Sequence, residues 1–80
     1  MSKFAKVFAE TFAISIDEVK DDLEYQSIAS WDSINHLDLV SNLESEFEVE
    51  FDMDDIIAME NVAKIKEILV RLGVEEDAFS

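Results

Sequence analysis

Apolar residues recur every three or four positions in four separate stretches of this chain, a spacing that is typical of amphipathic helices. The stripe of the first predicted helix consists of Phe4, Val7, Phe8 and Phe12. The stripe of the second, which runs from Ile34 to about Glu48, consists of Ile34, Leu37, Val40, Leu43 and Phe47, with Leu39 beside it. We therefore expect both helices to bury these stripes in one shared core.

The other two helices are recognised from their ends as well as from their apolar residues. The segment from Met53 to Met59 predicts a short third helix, which Asp52 or Asp54 can cap. Asn61 is a suitable N-cap for the fourth helix, and Gly73 is a suitable residue just after its end. The apolar face of this fourth helix consists of Val62, Ile65, Ile68, Leu69 and Leu72.

The segment from Glu46 to Asp52 alternates between acidic and apolar residues, which is the pattern of a half-buried strand. The chain offers no second strand of comparable quality, and a lone strand leaves its backbone unpaired. We interpret the segment as the end of the second helix, followed by an extended turn that buries Val49 and Phe51.

The connection from Ile14 to Trp31 is longer than the 2–8 residues that usually join helices in a bundle. Ser15 favours a capped turn at its start, and its own apolar residues can anchor it to the core: Ile16, Val19, Leu23, Ile28 and Trp31. The sequence thus predicts an all-α fold, a small four-helix bundle with three main helices, a short third helix and a long first loop.

Composition narrows the function classes. The 80 residues, 49% of them hydrophobic, suit one small globular domain over 1–80. Without cysteine there is no disulfide framework, thiolate metal site or thiol nucleophile, and we expect no metal centre. No stretch approaches the roughly 18 consecutive apolar residues of a membrane span, and the N-terminus lacks a signal-peptide core. We expect a soluble, cytoplasmic monomer.

The charge is strongly one-sided. Twenty acidic residues against six basic ones give a formal net charge of −14, and no Lys or Arg occurs between Lys20 and Lys64. Such a field repels nucleic acid and anionic membranes and attracts basic protein surfaces. We therefore expect neither nucleic acid nor a membrane as a partner.

The chemistry is concentrated where the second helix begins, at Trp31-Asp32-Ser33-Ile34. The exposed amides and positive dipole end of a helix N-terminus favour an anion, so a phosphodiester on Ser33 would lie in a compatible field. The alternative is that Asp32 or Ser33 only caps the helix.

The same residues resemble the acyl carrier proteins, and the resemblance covers essentially the whole chain. It rests on Asp32-Ser33-Ile34, Leu37-Asp38-Leu39-Val40, Leu43-Glu44, Glu46-Phe47 and Asn61-Val62. It implies a four-helix fold without catalysis of its own. It also implies that a phosphopantetheinyl transferase attaches 4′-phosphopantetheine from coenzyme A to Ser33, with Asp32 as the flanking motif residue. Acyl groups would be held on this arm as thioesters.

The resemblance further implies partners and contact residues. Acyl ligases, acyltransferases or ketosynthases with basic patches would dock on Asp38, Glu44 and Glu48, with Asp55 and Glu60 as secondary contacts. Candidates to line an acyl cleft, or simply to pack in the core, are Ile34, Leu37, Val40, Ile57 and Val62. Ser41 stands where fatty-acid carriers often have an apolar residue, and Trp31 is more similar to specialised stand-alone carriers.

Four other functions remain as alternatives. One is an aminoacyl or peptidyl carrier of the same fold, although the Gly-Gly-x-Ser-Leu pattern of peptidyl carriers is absent. Another is an enzyme in which Ser33 and His36 pair, although no G-x-S-x-G elbow exists and we expect a solvated histidine. A third is a divalent-ion-binding protein, because Asp52 to Asp55 is rich in carboxylates, although this segment lacks the glycine and glutamate that an EF-hand loop needs in register. An acidic nucleic-acid mimic would leave the Asp32-Ser33-Ile34 junction unexplained.

Overall fold

A computed structural model describes residues 3–79 of the chain. Its four α-helices are α1 (Lys3–Phe12), α2 (Ser33–Phe47), α3 (Met53–Ala58) and α4 (Val62–Arg71). Single-turn 3₁₀ helices lie at Ile16–Glu18 and Glu76–Phe79. Over the described residues there is no strand and no helix long and apolar enough to cross a bilayer. The prediction of a small all-α bundle is confirmed.

Aromatic residues from α1 and from the end of the first connection form one side of the core. Phe4, Phe8 and Phe12 are buried along one face of α1, as predicted. The fully buried Trp31 ring lies 5.7 Å from the Phe8 ring and 5.1 Å from the Phe12 ring, measured between centroids. The remaining apolar core residues are Leu39, Val40, Leu43, Phe51, Met59, Val62, Ile65, Ile68 and Leu69.

The predicted helix caps are present. The Asp52 carboxylate accepts the Asp55 amide N–H at 2.9 Å, and the Asp55 carboxylate accepts the Asp52 N–H at 3.4 Å, which completes a capping box on α3. Asn61 Oδ1 accepts the amide N–H three residues later at 2.8 Å. Gly73 follows α4 with a φ of 102°, which favours glycine. These contacts matter most for α3, because its six residues give it few hydrogen bonds of its own.

The predicted end of α2 is also confirmed. Glu48 adopts the left-handed conformation with a φ of 54° and ends the helix. The chain then extends, which buries Phe51 and half-buries Val49. The alternation from Glu46 to Asp52 therefore belongs to a helix end and a turn.

The first connection is held against the junction between α3 and α4. The Tyr25 N–H donates to the Glu60 carbonyl at 2.9 Å, and the Val62 N–H donates to the Leu23 carbonyl at 3.0 Å. Ser15 caps the 3₁₀ turn that opens the connection. Four of the five predicted anchors pack on the core, Trp31 fully buried and Val19, Leu23 and Ile28 half-buried. Ile16 is half-buried in the 3₁₀ turn.

The predicted core stripe of α2 is wrong at its N-terminal end. Ile34 and Leu37 are 75% and 60% exposed, whereas the buried residues of α2 are Leu39, Val40 and Leu43. The helix carries apolar residues on two adjacent faces, and its packing against α1 decides which face turns inward. Ile34 and Leu37 are left on the face beside α3.

The 3₁₀ helix at Glu76–Phe79 was not predicted. The centroid of its Phe79 ring lies 5.0 Å from the centroid of the Phe4 ring. Lys66 Nζ lies 5.6 Å from the Phe4 centroid and 5.8 Å from the Phe79 centroid. The aromatic side chain of Phe79 is therefore packed against the start of α1.

Candidate prosthetic-group attachment site

Ser33 is the first residue of α2, and it is exposed. The helix is capped by its neighbour: Asp32 Oδ1 accepts the Asn35 N–H at 2.9 Å, and the Asp32 carbonyl accepts the His36 N–H at 2.8 Å. The side chain of Asn35 donates to the Ser30 carbonyl at 2.7 Å, which fixes the backbone just before the helix. Of the two residues that could act as the cap, Asp32 therefore does so, and the Ser33 hydroxyl is not required for it.

The electrostatics of this position fit a phosphate ester on Ser33. Helix geometry leaves the amide N–H groups of the first turn without intrahelical acceptors, and Asp32 uses those of Asn35 and His36. The amides of Ser33 and Ile34 remain at the positive end of a 15-residue helix. A phosphodiester carries one negative charge and accepts hydrogen bonds, so it matches this field.

A pocket of about 560 Å³ opens beside Ser33, between α2, the first connection and α3. Its wall consists of Glu24, Tyr25, Ser33, His36, Leu37, Ile56, Ile57, Met59 and Glu60. Apart from the carboxylates of Glu24 and Glu60, most of the side chains that line the cavity are apolar or aromatic. The pocket can therefore take an apolar group attached near Ser33.

The five cleft candidates from the sequence divide between three environments. Leu37 and Ile57 line the pocket. Val40 and Val62 are 6% and 0% exposed and pack in the core. Ile34 is exposed and is not part of the pocket wall. The pocket additionally uses Tyr25, Ile56 and Met59. The sequence did not single them out as cleft residues because they come from the first connection and from α3 and its C-terminal cap, distant in sequence from Ser33.

The expectation that His36 is a solvated surface residue is wrong. The residue is half-buried: its Nδ1 accepts the Trp31 indole N–H at 3.0 Å, and its Nε2 lies 3.1 Å from the Ile56 carbonyl oxygen. The indole N–H can only donate, so Nδ1 is the unprotonated nitrogen, and Nε2 carries the proton that is donated to Ile56. Both imidazole nitrogens are thus engaged away from Ser33, which argues against the nucleophile and base pair that the enzyme alternative requires.

Three of the five predicted docking acids are presented to solvent. Asp38 and Glu48 are exposed on α2 and at its C-terminal cap, and Glu60 is exposed at the pocket wall. The stretch between Lys20 and Lys64 that contains them holds no Lys or Arg. The charged side chains that this stretch presents to solvent are therefore acidic.

The other two predicted docking acids are engaged inside the fold. Glu44 is half-buried, and its Oε2 accepts the Phe51 amide N–H at 2.9 Å, which ties the turn after α2 to the helix. Asp55 is only 7% exposed, and its carboxylate is paired with Arg71 on α4 and bonded to the Asp52 amide. A carboxylate that already bonds internal donors offers little to a partner, so both residues have structural roles.

Comparison with known proteins agrees with this geometry. Residues 2–69 match the family model described as the phosphopantetheine attachment site. The chain is therefore a phosphopantetheine-binding carrier domain, and its prosthetic group is 4′-phosphopantetheine. It is 32% identical over 68 residues to an acyl carrier protein of Lactobacillus johnsonii, an alignment that covers 85% of each chain. The protein belongs to the acyl carrier protein family.

Proposed function

We propose that Ser33 is the residue to which 4′-phosphopantetheine is attached, and that the protein is a non-catalytic carrier of acyl thioesters. One observation carries this proposal: Ser33 is exposed in the first turn of α2, beside the pocket, while Asp32 supplies the helix cap. When attached, the group supplies a thiol for thioester formation. The chain contains no cysteine, so it has no thiol of its own.

The surface around Ser33 supports docking of partner enzymes through charge and apolar contact. The exposed carboxylates of Asp38, Glu48 and Glu60 lie on or next to the same helices as a group of exposed apolar side chains at the start of α2 and on α3: Ile34, Leu37, Met53 and Ile57. Exposed apolar residues rimmed by charge are typical of interaction sites. The fitting partners are a phosphopantetheinyl transferase and acyl ligases, acyltransferases or ketosynthases with basic patches, in fatty acid, polyketide or related acyl-transfer pathways.

The attachment site can be tested by intact mass measurement. Purified protein is incubated with coenzyme A and a broad-specificity phosphopantetheinyl transferase, together with the variants Ser33→Ala and Ser41→Ala. Ser41 is a matched control because it is an exposed serine on the same helix. We expect the natural protein and Ser41→Ala to gain the mass of one phosphopantetheine group, and Ser33→Ala to gain none.

Two results would contradict the proposal. A mass gain that persists in Ser33→Ala would move the attachment site elsewhere, and no gain in any of the three proteins would reject the carrier function. The mass of any further group on protein isolated from its native cells would then distinguish an acyl cargo from an aminoacyl cargo.

A further inference from the structure

We propose that His36 is a specificity-determining residue: it closes the inner end of the pocket beside Ser33 and restricts the sheltered cargo to short acyl chains. This inference rests on the proposed function and deepens it. It begins with the position of His36, which lines the pocket and also bonds Trp31 in the core. The imidazole therefore lies at the boundary between the two.

The imidazole spans the gap between two helices. It belongs to α2, and its Nε2–H donates to the backbone carbonyl of Ile56 on α3. The Tyr25 ring lies 5.3 Å from it on the side of the first connection, measured between centroids. All three segments that surround the pocket thus meet at this one ring.

The side chains behind this ring belong to the core. Val40 lies one turn after His36 on the same face of α2, and it is 6% exposed. Val62 at the start of α4 is fully buried, and neither valine is part of the pocket wall. Because Val40 follows His36 on this face, a cargo chain that extends along α2 toward Val40 has to displace the imidazole first.

Displacing the imidazole leaves the Trp31 indole N–H without its partner and leaves the Ile56 carbonyl with only one long hydrogen bond. The Trp31 side chain is fully buried, and its indole N–H needs an acceptor there. The Ile56 carbonyl is in the last turn of a short helix, where the other backbone donor, the Met59 N–H, is 3.4 Å away. The imidazole is therefore held in place from both sides, and a longer cargo has to break both hydrogen bonds before any further methylene group is buried.

The experiment measures how strongly the protein protects attached thioesters of different length. Ser33 is loaded with butyryl-, octanoyl- or dodecanoyl-phosphopantetheine from the corresponding acyl coenzyme A, and cleavage by hydroxylamine is compared with that of the free acyl pantetheine. The principal variant combines His36→Ala with Trp31→Phe, so that it removes the wall without leaving a buried indole N–H. A second variant, His36→Asn, shortens the side chain but keeps an acceptor for the indole.

Two control variants separate the wall from general stability. Trp31→Phe alone removes the indole donor and keeps the imidazole. Asn42→Ala removes a hydrogen bond of 2.9 Å between Asn42 on α2 and Thr11 on α1, away from the pocket. We expect both controls and the natural protein to protect octanoyl and dodecanoyl thioesters equally.

In the two wall variants we expect the dodecanoyl thioester to be better protected than the octanoyl one, by up to about fourfold for each methylene group newly buried. Protection that already rises up to dodecanoyl in the natural protein overturns the inference. So does an unchanged plateau in whichever wall variant folds, as monitored by circular dichroism. Failure to load Ser33 at all is visible in the mass spectrum and rejects the proposed function instead, and the inference with it.

Discussion

Asp55 on α3 and Arg71 at the end of α4 form an ion pair that is buried on one side only. The Asp55 side chain is 10% exposed, whereas the Arg71 side chain is 61% exposed. The same Asp55 carboxylate also accepts the Asp52 amide N–H at the start of α3. One side chain thus both caps the short helix α3 and fastens it to the end of α4.

Replacing Arg71 by alanine should lower the free energy of unfolding by about 1–3 kcal/mol, because it leaves a nearly buried carboxylate without its charged partner. Urea titration measures the loss. The matched control is Lys64→Ala on the same helix, which removes an exposed pair with Glu67 at 3.8 Å. That change should cost roughly 0–1 kcal/mol. Equal losses would show that Asp55 gains nothing from Arg71.

The inward face of α2 can be tested by truncating one leucine on each side of the helix. Leu43→Ala should cost about 2–5 kcal/mol, since Leu43 is fully buried in the core. Leu37→Ala, a change of the same size at a residue that is 60% exposed, should stay within about 0.5 kcal/mol. Thermal or urea unfolding compares the two. A larger loss for Leu37→Ala would place the core on the other face.

Reversing the charge of Asp38 should slow association with a partner enzyme. Asp38→Lys should reduce the association rate constant most at low salt and leave dissociation nearly unchanged, because exposed charges mainly act on encounter. Stopped-flow binding to a phosphopantetheinyl transferase provides the measurement. Asp17→Lys changes the net charge equally at an exposed site in the first connection. If both variants associate at the same rate, only total charge matters and α2 has no special part.

Added salt or magnesium should raise the melting temperature. With a net charge of −14 the fold is weakened by repulsion among its carboxylates, and ions screen it. The rise should be roughly 4–8 °C for each kcal/mol of repulsion that is removed. Calorimetry in increasing sodium chloride, with a non-ionic solute as the control, measures it. A melting temperature that does not respond to salt would contradict this account.

The features that the sequence predicted correctly are local ones. Asp52 and Asn61 were recognised as caps because a cap bonds an amide only three residues away. The exposed position of Ser33 at the start of α2 was predicted because the start of a helix and its flanking residues are contiguous in the chain, whereas its role as the attachment site stays a prediction. The resemblance to acyl carrier proteins then supplied the prosthetic group, which no pattern of spacing specifies.

The features that the sequence analysis missed depend on residues that are far apart in the chain. His36 was expected in solvent because its acceptor, the Ile56 carbonyl, is separated from it by 20 positions. Asp55 was grouped with the surface acids because nothing near it in the chain announces Arg71, 16 positions away. Ile34 and Leu37 were assigned to the core because periodicity alone cannot choose between two apolar faces of one helix.

Asp32 caps α2 and leaves the Ser33 hydroxyl exposed, which has a further consequence. Because Asp32 caps α2, the hydrogen bonds at the start of the helix do not depend on whether the Ser33 hydroxyl is free or esterified. We therefore expect the scaffold to keep the same hydrogen bonds whether the proposed arm on Ser33 is absent, attached or loaded. Such an arrangement would let one folded molecule serve repeated rounds of loading and release.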